Sequence, residues 1–303
     1  MFFKNLCLFR LPDDWNLTAA EFESRLEGRP LAPCGHFDMT TRGWVPVGPT
    51  ARLLHTVGQH QLIALGVEQK LLPGSIIRQE ATDRAVHLAA EQGYPVGRKQ
   101  MRDLKLQVTE ELRARALVRR HVTHAWIDLD NGWFIVDAAG IARAEELVET
   151  LRDTLGSFAA VPVDAPRSPQ AAMAAWLALG QVVHPFNIDD DLVLKAADLS
   201  GATIRYAKHA FDTAQVRRHF AAGFVPGQLG LTWNARVSFV LNDKFQVKRV
   251  QFLELENEDD VAENVDPQEQ FDIDFAVMSG ELSQVLCDLL PAIAGEARSQ
   301  AAA

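Results

Sequence analysis

The hydrophobic run within Phe3 to Leu11 predicts a strand, with Asn5, Cys7 and Phe9 on one face and Leu6, Leu8 and Arg10 on the other. Thr18 followed by Glu21 has capping-box spacing and opens a helix through Phe22 and Leu26 that stops at Gly28. Residues 61–64 and 67–71 read as a hairpin about Gly66, ended by Leu72-Pro73-Gly74. Residues 75–92 are helical and closed by Gly93, and Tyr94-Pro95-Val96-Gly97 separates them from a second helical segment. This two-helix arm has few bulky apolar residues for its length, so it is expected to project from the body.

Residues 122–128 and 133–136 form the clearest hairpin, joined through Asp130-Asn131-Gly132, whose Asn-Gly pair favours the positive φ of a tight turn. A helix follows with Leu147, Val148, Leu151 and Leu155 on one face and Gly156 past its end. Residues 161–163 are extended, 169–179 a short Ala-rich helix, 203–207 a strand and 213–222 a helix. Residues 229–241 and 246–254 form a second long hairpin around Asn242-Asp243. Residues 271–277 fit either a strand or the start of the last helix, whose stripe is Leu282, Val285, Leu286, Leu289 and Leu290. Antiparallel pairs followed by helices define an α+β fold of hairpins and sheets with flanking helices, not a doubly wound one. Hairpin-then-helix occurs twice, a pattern open to internal duplication although the residues do not repeat. The chain is read as one unit over 1–303. It comprises a basic helical arm at 75–120, a hairpin-helix central part at 121–165, a second lobe at 166–225, and a hairpin, acidic segment and last helix at 226–303.

The composition, 303 residues with 48% hydrophobic and 23% charged, excludes collagen, wholesale disorder and a small disulfide scaffold. No run of about 18 uninterrupted apolar residues exists, and Lys4 and Asn5 stand where a signal peptide is apolar. Cys7, Cys34 and Cys287 are odd in number and scattered, as in a reducing compartment. A cytoplasmic protein without a membrane partner is expected.

Charge changes the picture. The net charge of −10 argues against a nucleic-acid partner, but ten acids with no Lys or Arg lie between Glu254 and Asp274, which is the whole excess of 40 acids over 30 cations. The rest of the chain is neutral and can carry a basic surface; the tract itself also fits a solvated loop. The opposite block runs from Arg98 to Arg120, with eight cations against Asp103, Glu110 and Glu111. On one helix, Arg98, Arg102, Lys105, Arg113 and Arg120 fall within roughly an 80° arc, apart from the stripe of Met101, Leu104, Val108 and Leu112. An ordinary amphipathic helix shows such a split too, but its exposed face usually mixes signs. A second basic set is Arg205, Lys208, His209, Arg217, Arg218 and His219, with Lys244, Lys248 and Arg249 after it. Tyr206, Phe211, Phe220 and Trp233 lie among these cations, placed either for stacking on unpaired bases or, more simply, for packing in a core.

Motifs for chemistry are scarce. GxxxxGK[ST], GxGxxG after a strand and GxSxG are all missing, so no nucleotide cofactor and no serine hydrolase is indicated. Cys34-Gly35-His36 and His121-x-x-His124 are poor zinc candidates, because residues three apart on a strand diverge. Magnesium-dependent cleavage would draw on Asp128, Asp137, Asp189-Asp190-Asp191 or the acidic tract. The Asp run before Leu192 reads more simply as a helix N-terminus.

Several short stretches, in order, carry a resemblance. They are Phe3-Lys4-Asn5-Leu6, Pro33-Cys34-Gly35, Gly43-Trp44-Val45-Pro46, Leu72-Pro73, Trp126-Ile127-Asp128 with Asn131-Gly132, Leu155-Gly156-Ser157, Ile204-Arg205 and Met278-Ser279-Gly280-Glu281-Leu282. Together they resemble the bacterial recombination-associated RdgC family over nearly the whole chain. The resemblance implies horseshoe-shaped subunits that form a ring-shaped homodimer around duplex DNA. It also implies binding without marked sequence preference, nucleoid association, restraint of RecA-promoted strand exchange, and no catalysis or cofactor. Lys208 and His209, after the Ile204-Arg205 match, fall where relatives contribute positive charge to the ring lining. Arg115 falls where the arm ends, near the ring's closing contact. The arm here is poorer in Lys, and Leu117 stands where a relative has an aromatic.

The leading expectation is a non-enzymatic ring that contacts phosphates of double-stranded DNA, with single strands as a second ligand. The residues assigned to it are Arg98, Arg102, Lys105, Arg113, Arg115, Arg120, Arg205, Lys208, His209, Arg217 and Lys248. The competing readings are a metal-dependent nuclease and an acidic protein-protein adaptor that never touches DNA.

Overall fold

The computed structural model describes residues 2–198, 200–253 and 266–295. The chain begins with strand β1 (Asn5–Arg10) and helix α1 (Ala19–Glu27), followed by β2 (Thr40–Trp44), β3 (Leu54–Val57) and β4 (His60–Lys70). The arm helices α2 (Gly74–Gln92) and α3 (Arg98–Arg115) come next, then β5 (Val118–Asp128), β6 (Trp133–Asp137), α4 (Ile141–Leu155) and β7 (Val161–Pro162). The remainder is α5 (Pro169–Leu179), β8 (Phe186–Ala196), β9 (Thr203–Tyr206), α6 (Thr213–Ala221), β10 (Phe224–Trp233), β11 (Val237–Asn242), β12 (Gln246–Phe252) and α7 (Pro267–Ala294). The strands join in one antiparallel 12-stranded sheet ordered β2-β4-β5-β6-β1-β12-β11-β10-β8-β9, with β3 on β4 and β7 on β1. The fold is α+β, as expected from the pattern.

Strand β1 sits mid-sheet and joins two halves, pairing Leu6 with Asp137 on one side and with Val247 on the other. One sheet face carries Cys7, Phe9, Trp44, Ile63, Leu65, Ala125, Ile127, Phe134 and Val136, and it is sealed by Phe22 and Leu26 of α1 and by Leu147 and Leu151 of α4. The opposite face runs through both halves, from Leu62, Trp126 and Ile135 to Leu229, Leu231, Phe239 and Val247. Met173 and Trp176 of α5 cover it, together with Phe275, Met278, Leu282, Leu286 and Leu289 of α7. Helix α7 is 28 residues long and apolar enough to span a bilayer by composition, but that stripe is buried in the core. The Thr18 capping box is present, with Glu21 N–H to Thr18 Oγ1 at 3.3 Å and Thr18 N–H to Glu21 Oε2 at 3.0 Å.

Three local expectations are corrected, and one left open between strand and helix is resolved. Residues 61–71 do not turn at Gly66: β4 runs unbroken through it, and the hairpin turns at Gly58 between β3 and β4. A Cβ on Gly66 would lie 2.6 Å from Val45 Cγ1 and 2.7 Å from Leu31 Cδ2, so this glycine serves close packing, not a turn. Asp189 to Asp191 belong to β8 and start no helix, because the flanking Ile188 and Leu192 pair with Leu231 and Leu229 of β10. Residues 229–241 split at Asn234-Ala235, both at positive φ, so the second hairpin is a three-stranded meander. Residues 271–277 are helical, inside α7. Of the acidic tract, Glu254 to Glu263 lie outside the described residues, while Asp266 caps α7 and Glu269 lies in its first turn.

His124 on β5 is mostly buried, and burial pushes its imidazole down to about 4. The unfolded chain would take up a proton near the ordinary value of about 6.5, so the unfolded state binds more protons between those limits. Stability is therefore full above about pH 6.5 and falls as pH drops toward 4, by about 3 kcal/mol for this group alone. Urea midpoints at pH 7 and 4.5 should show a smaller drop for His124→Gln than for the parent chain.

Candidate nucleic-acid interface

The arm is held by itself. Helices α2 and α3 pack chiefly against each other, with Ala81, Ala85 and Val108 buried between them. The Arg84 guanidinium ties the pair by reaching Glu80 and Glu111, each at 2.8 Å, and it holds the Glu111 carboxyl below the usual range. Met101, Leu104, Val108 and Leu112 are drawn inward, while Arg98, Arg102, Lys105 and Arg115 are exposed. None of these four cations forms an ion pair among the described residues. Arg113 differs: it is half-buried, with its guanidinium carbon 5.9 Å from the centre of the Phe37 ring.

The basic block is not one helix. Ala116 is extended at φ −63° and ψ 140°, and β5 begins at Val118, so Arg120 stands on a strand opposite Glu68 instead of on the helical stripe. The β-branched run Val118, Val122 and Thr123 gains a full ladder along β4, which outweighs helix continuation.

Three members of the second basic set, Lys208, Lys248 and Arg249, gather on a bare sheet surface. Helices α1 and α4 cover only the β1–β6 half of their face, and among the described residues no helix covers its continuation over β12, β11, β10 and β8. Strands there alternate as an antiparallel sheet with one wet side should, placing Gln228, Thr232, Ser238 and Gln251 outward. An open groove of about 760 Å³ lies on this surface, lined in part by Lys4, Lys208, Arg249, Asp189 and Asp191. Lys248 pairs with both Asn5 and Val240, two residues of the groove wall, so its side chain leaves the same face. A bulge between Ser238 and Val240 breaks the alternation and turns Arg249 to that side as well. Arg249 at φ 53° and Lys208 at φ 51° both occupy the left-handed region, a strain of order 1 kcal/mol each that clusters at functional positions. Lys4 and Arg249 were not among the expected site residues. Strand alternation alone puts Arg249 opposite Lys248, and Lys4 joins the groove only through the bond from Val250 N–H to the Lys4 carbonyl.

Other expected residues have different surroundings. Arg205 is exposed on the outermost strand β9, and His209 is exposed beside Lys208, its N–H on the Asp190 carbonyl. Arg217 donates from Nε to the Ala178 carbonyl at 3.1 Å, finishing the last turn of α5. The interleaved aromatics pack instead of lying open. Trp233 is buried with its indole N–H on Asp288, and Tyr206, Phe211 and Phe220 lean on the core.

The carboxylates proposed for metal chemistry are dispersed. Asp128 is fully buried and accepts from Asn131 N–H, Asn131 Nδ2 and Ser283 Oγ at 3.1, 2.9 and 2.6 Å. Asp137 accepts from the Lys4 and Asn5 amides, and burial raises its carboxyl above the usual range. Asp189 accepts from Thr232 Oγ1 and is raised by burial too. Among the described residues no three His, Cys, Asp or Glu side chains are gathered to hold an ion.

Fold and surface together define an antiparallel α+β protein with a cationic arm and a cationic, uncovered sheet face. Over residues 1–296 the chain matches the family model described as "Putative exonuclease, RdgC". It is 45% identical over 301 residues to the recombination-associated protein RdgC of Dechloromonas aromatica, covering 98% of each chain. It is 42% identical over 299 residues to the protein of that name from Cupriavidus necator, covering 99% of this chain and 100% of the relative. The chain belongs to the RdgC family of recombination-associated proteins.

Proposed function

We propose that this chain binds double-stranded DNA without sequence preference and encloses it as a homodimeric ring. The exposed arm cations and the open sheet face would line the hole, with single strands held by the same phosphate contacts. The observation that carries this reading is the gathering of Lys4, Lys208, Lys248 and Arg249 on one uncovered face, together with the exposed arm cations Arg98, Arg102, Lys105 and Arg115, in a chain of net charge −10. Ring closure is supported by an exposed apolar cluster at the root of the arm. Phe37 is 84% and Leu117 78% exposed, and the bonds from Lys70 N–H to the Met39 carbonyl and from Leu71 N–H to the Leu117 carbonyl bring Met39 and Leu71 alongside. A second copy of the chain would cover it. The role proposed in the cell is nucleoid-associated restraint of RecA-promoted strand exchange in the cytoplasm, with no catalysis.

Lys208→Glu is expected to weaken binding to duplexes of unrelated sequence by a common factor, because a phosphate contact carries no base information. Fluorescence anisotropy on three unrelated duplexes checks this, and a change in rank order among them would show that Lys208 reads bases. The family model's description favours a second reading, an exonuclease. Incubating linear and supercoiled DNA with the pure protein and magnesium separates the two. Intact DNA supports the binding reading, and chelator-sensitive degradation supports the nuclease.

A further inference from the structure

The cationic face has two carboxylates at its centre. Between the pairs Leu229–Leu192 and Leu231–Ile188, the single Gly230 of β10 faces Asp189, Asp190 and Asp191 of β8. The bulge sets Asp189 and Asp191 on either flank of Gly230: a Cβ there would lie 3.1 and 3.0 Å from their Cβ atoms, a close approach that the glycine makes easy. The Thr232 hydroxyl orients Asp189, at 2.7 and 2.8 Å from its two oxygens. Asp191 Oδ2 lies 3.5 Å from Arg249 Nη1. A phosphate approaching Arg249 meets a carboxylate already there and another beside it.

We propose that Asp189 and Asp191 are built-in competitors for phosphate, which hold duplex affinity below what Lys4, Lys208, Lys248 and Arg249 would give alone and so shorten the life of each non-specific complex. The proposal rests on the DNA-binding reading and adds to it a carboxylate pair that sets residence time. At about 7 Å in a water-rich groove, one such repulsion changes affinity by about threefold, and two by about tenfold. A protein that must move along DNA instead of locking onto it gains from this, since affinity among related complexes is tuned mostly through dissociation.

Dissociation of a fluorescein-labelled duplex, chased with unlabelled DNA, tests the proposal on Asp191→Asn and Asp189→Asn/Asp191→Asn. Asp14→Asn, exposed at the far end of β1 from Lys4, is the control with the same change in net charge. The expected result is release about threefold slower for Asp191→Asn and about tenfold slower for the double variant, with Asp14→Asn near the parent. Asp191→Asn leaves the Thr232 bond to Asp189 intact, so it reports even if the double variant folds poorly. Adding Arg249→Gln to Asp191→Asn should erase most of the gain. Release from both Asp191→Asn and the double variant no slower than from Asp14→Asn would overturn the attenuation while leaving DNA binding standing. A parent chain that binds no duplex at low salt would overturn both.

Discussion

Raising monovalent salt from about 50 to 200 mM is expected to weaken duplex binding by roughly 10³ to 10⁵, the result of about six to ten phosphates exchanging counterions for Lys and Arg. The expectation follows from where the cations stand. Arg98, Arg102, Lys105 and Arg115 lie exposed along one helix, while Lys208 and Lys248 share one sheet face, so each can meet a backbone phosphate without first giving up an ion-pair partner among the described residues, whereas Arg249 must leave Asp191. Arg217, committed to the Ala178 carbonyl, should contribute little, and Arg217→Gln should leave the salt slope unchanged. Anisotropy titrations across the salt series measure the slope directly. An affinity that stays flat would mean that the basic face is only solvated surface.

Asp128→Ala should destabilise the fold by about 3 to 5 kcal/mol, read as a lower urea midpoint. The carboxylate is fully buried and accepts three hydrogen bonds from Asn131 and Ser283, which join the β5–β6 turn to the middle of α7. Removing it leaves the buried Ser283 hydroxyl and the part-buried Asn131 donors without that acceptor, and a buried loss of this kind costs about 1 to 3 kcal/mol. Asp128→Asn keeps one acceptor oxygen and should lose less. A drop under about 1 kcal/mol for Asp128→Ala would show that α7 is held by its apolar stripe alone.

The same network explains what the sequence made legible. Trp126-Ile127-Asp128, Asn131-Gly132 and Met278 to Leu282, which carried the resemblance, are structural: Trp126 Nε1 donates to His60 Nδ1 at 3.2 Å, and Phe3 N–H meets Met278 Sδ at 3.2 Å. The strand reading of β1, the Asn-Gly turn before β6 and the period-3.6 stripes of α4 and the end of α7 marked those elements correctly, although β1 and β6 bury both of their faces. Strand β8 escaped notice because its bulge puts three consecutive acids where alternation requires an apolar residue. Gly66 misled for the opposite reason, since close packing and a turn both call for glycine. The arm stripe was legible except at its end, where tertiary pairing with β4 took Arg120 off the helix. The groove was half legible: Lys208 and Lys248 were named, while Arg249 needed a bulge and Lys4 a long-range register that periodicity does not encode.

Light scattering on the size-separated chain, alone and with a short duplex, tests the central claim most directly. The account expects a particle of twice the 33.5 kDa chain mass that gains the mass of one duplex at low salt and loses it at high salt. A particle of one chain mass whose mass does not change when DNA is added would contradict it.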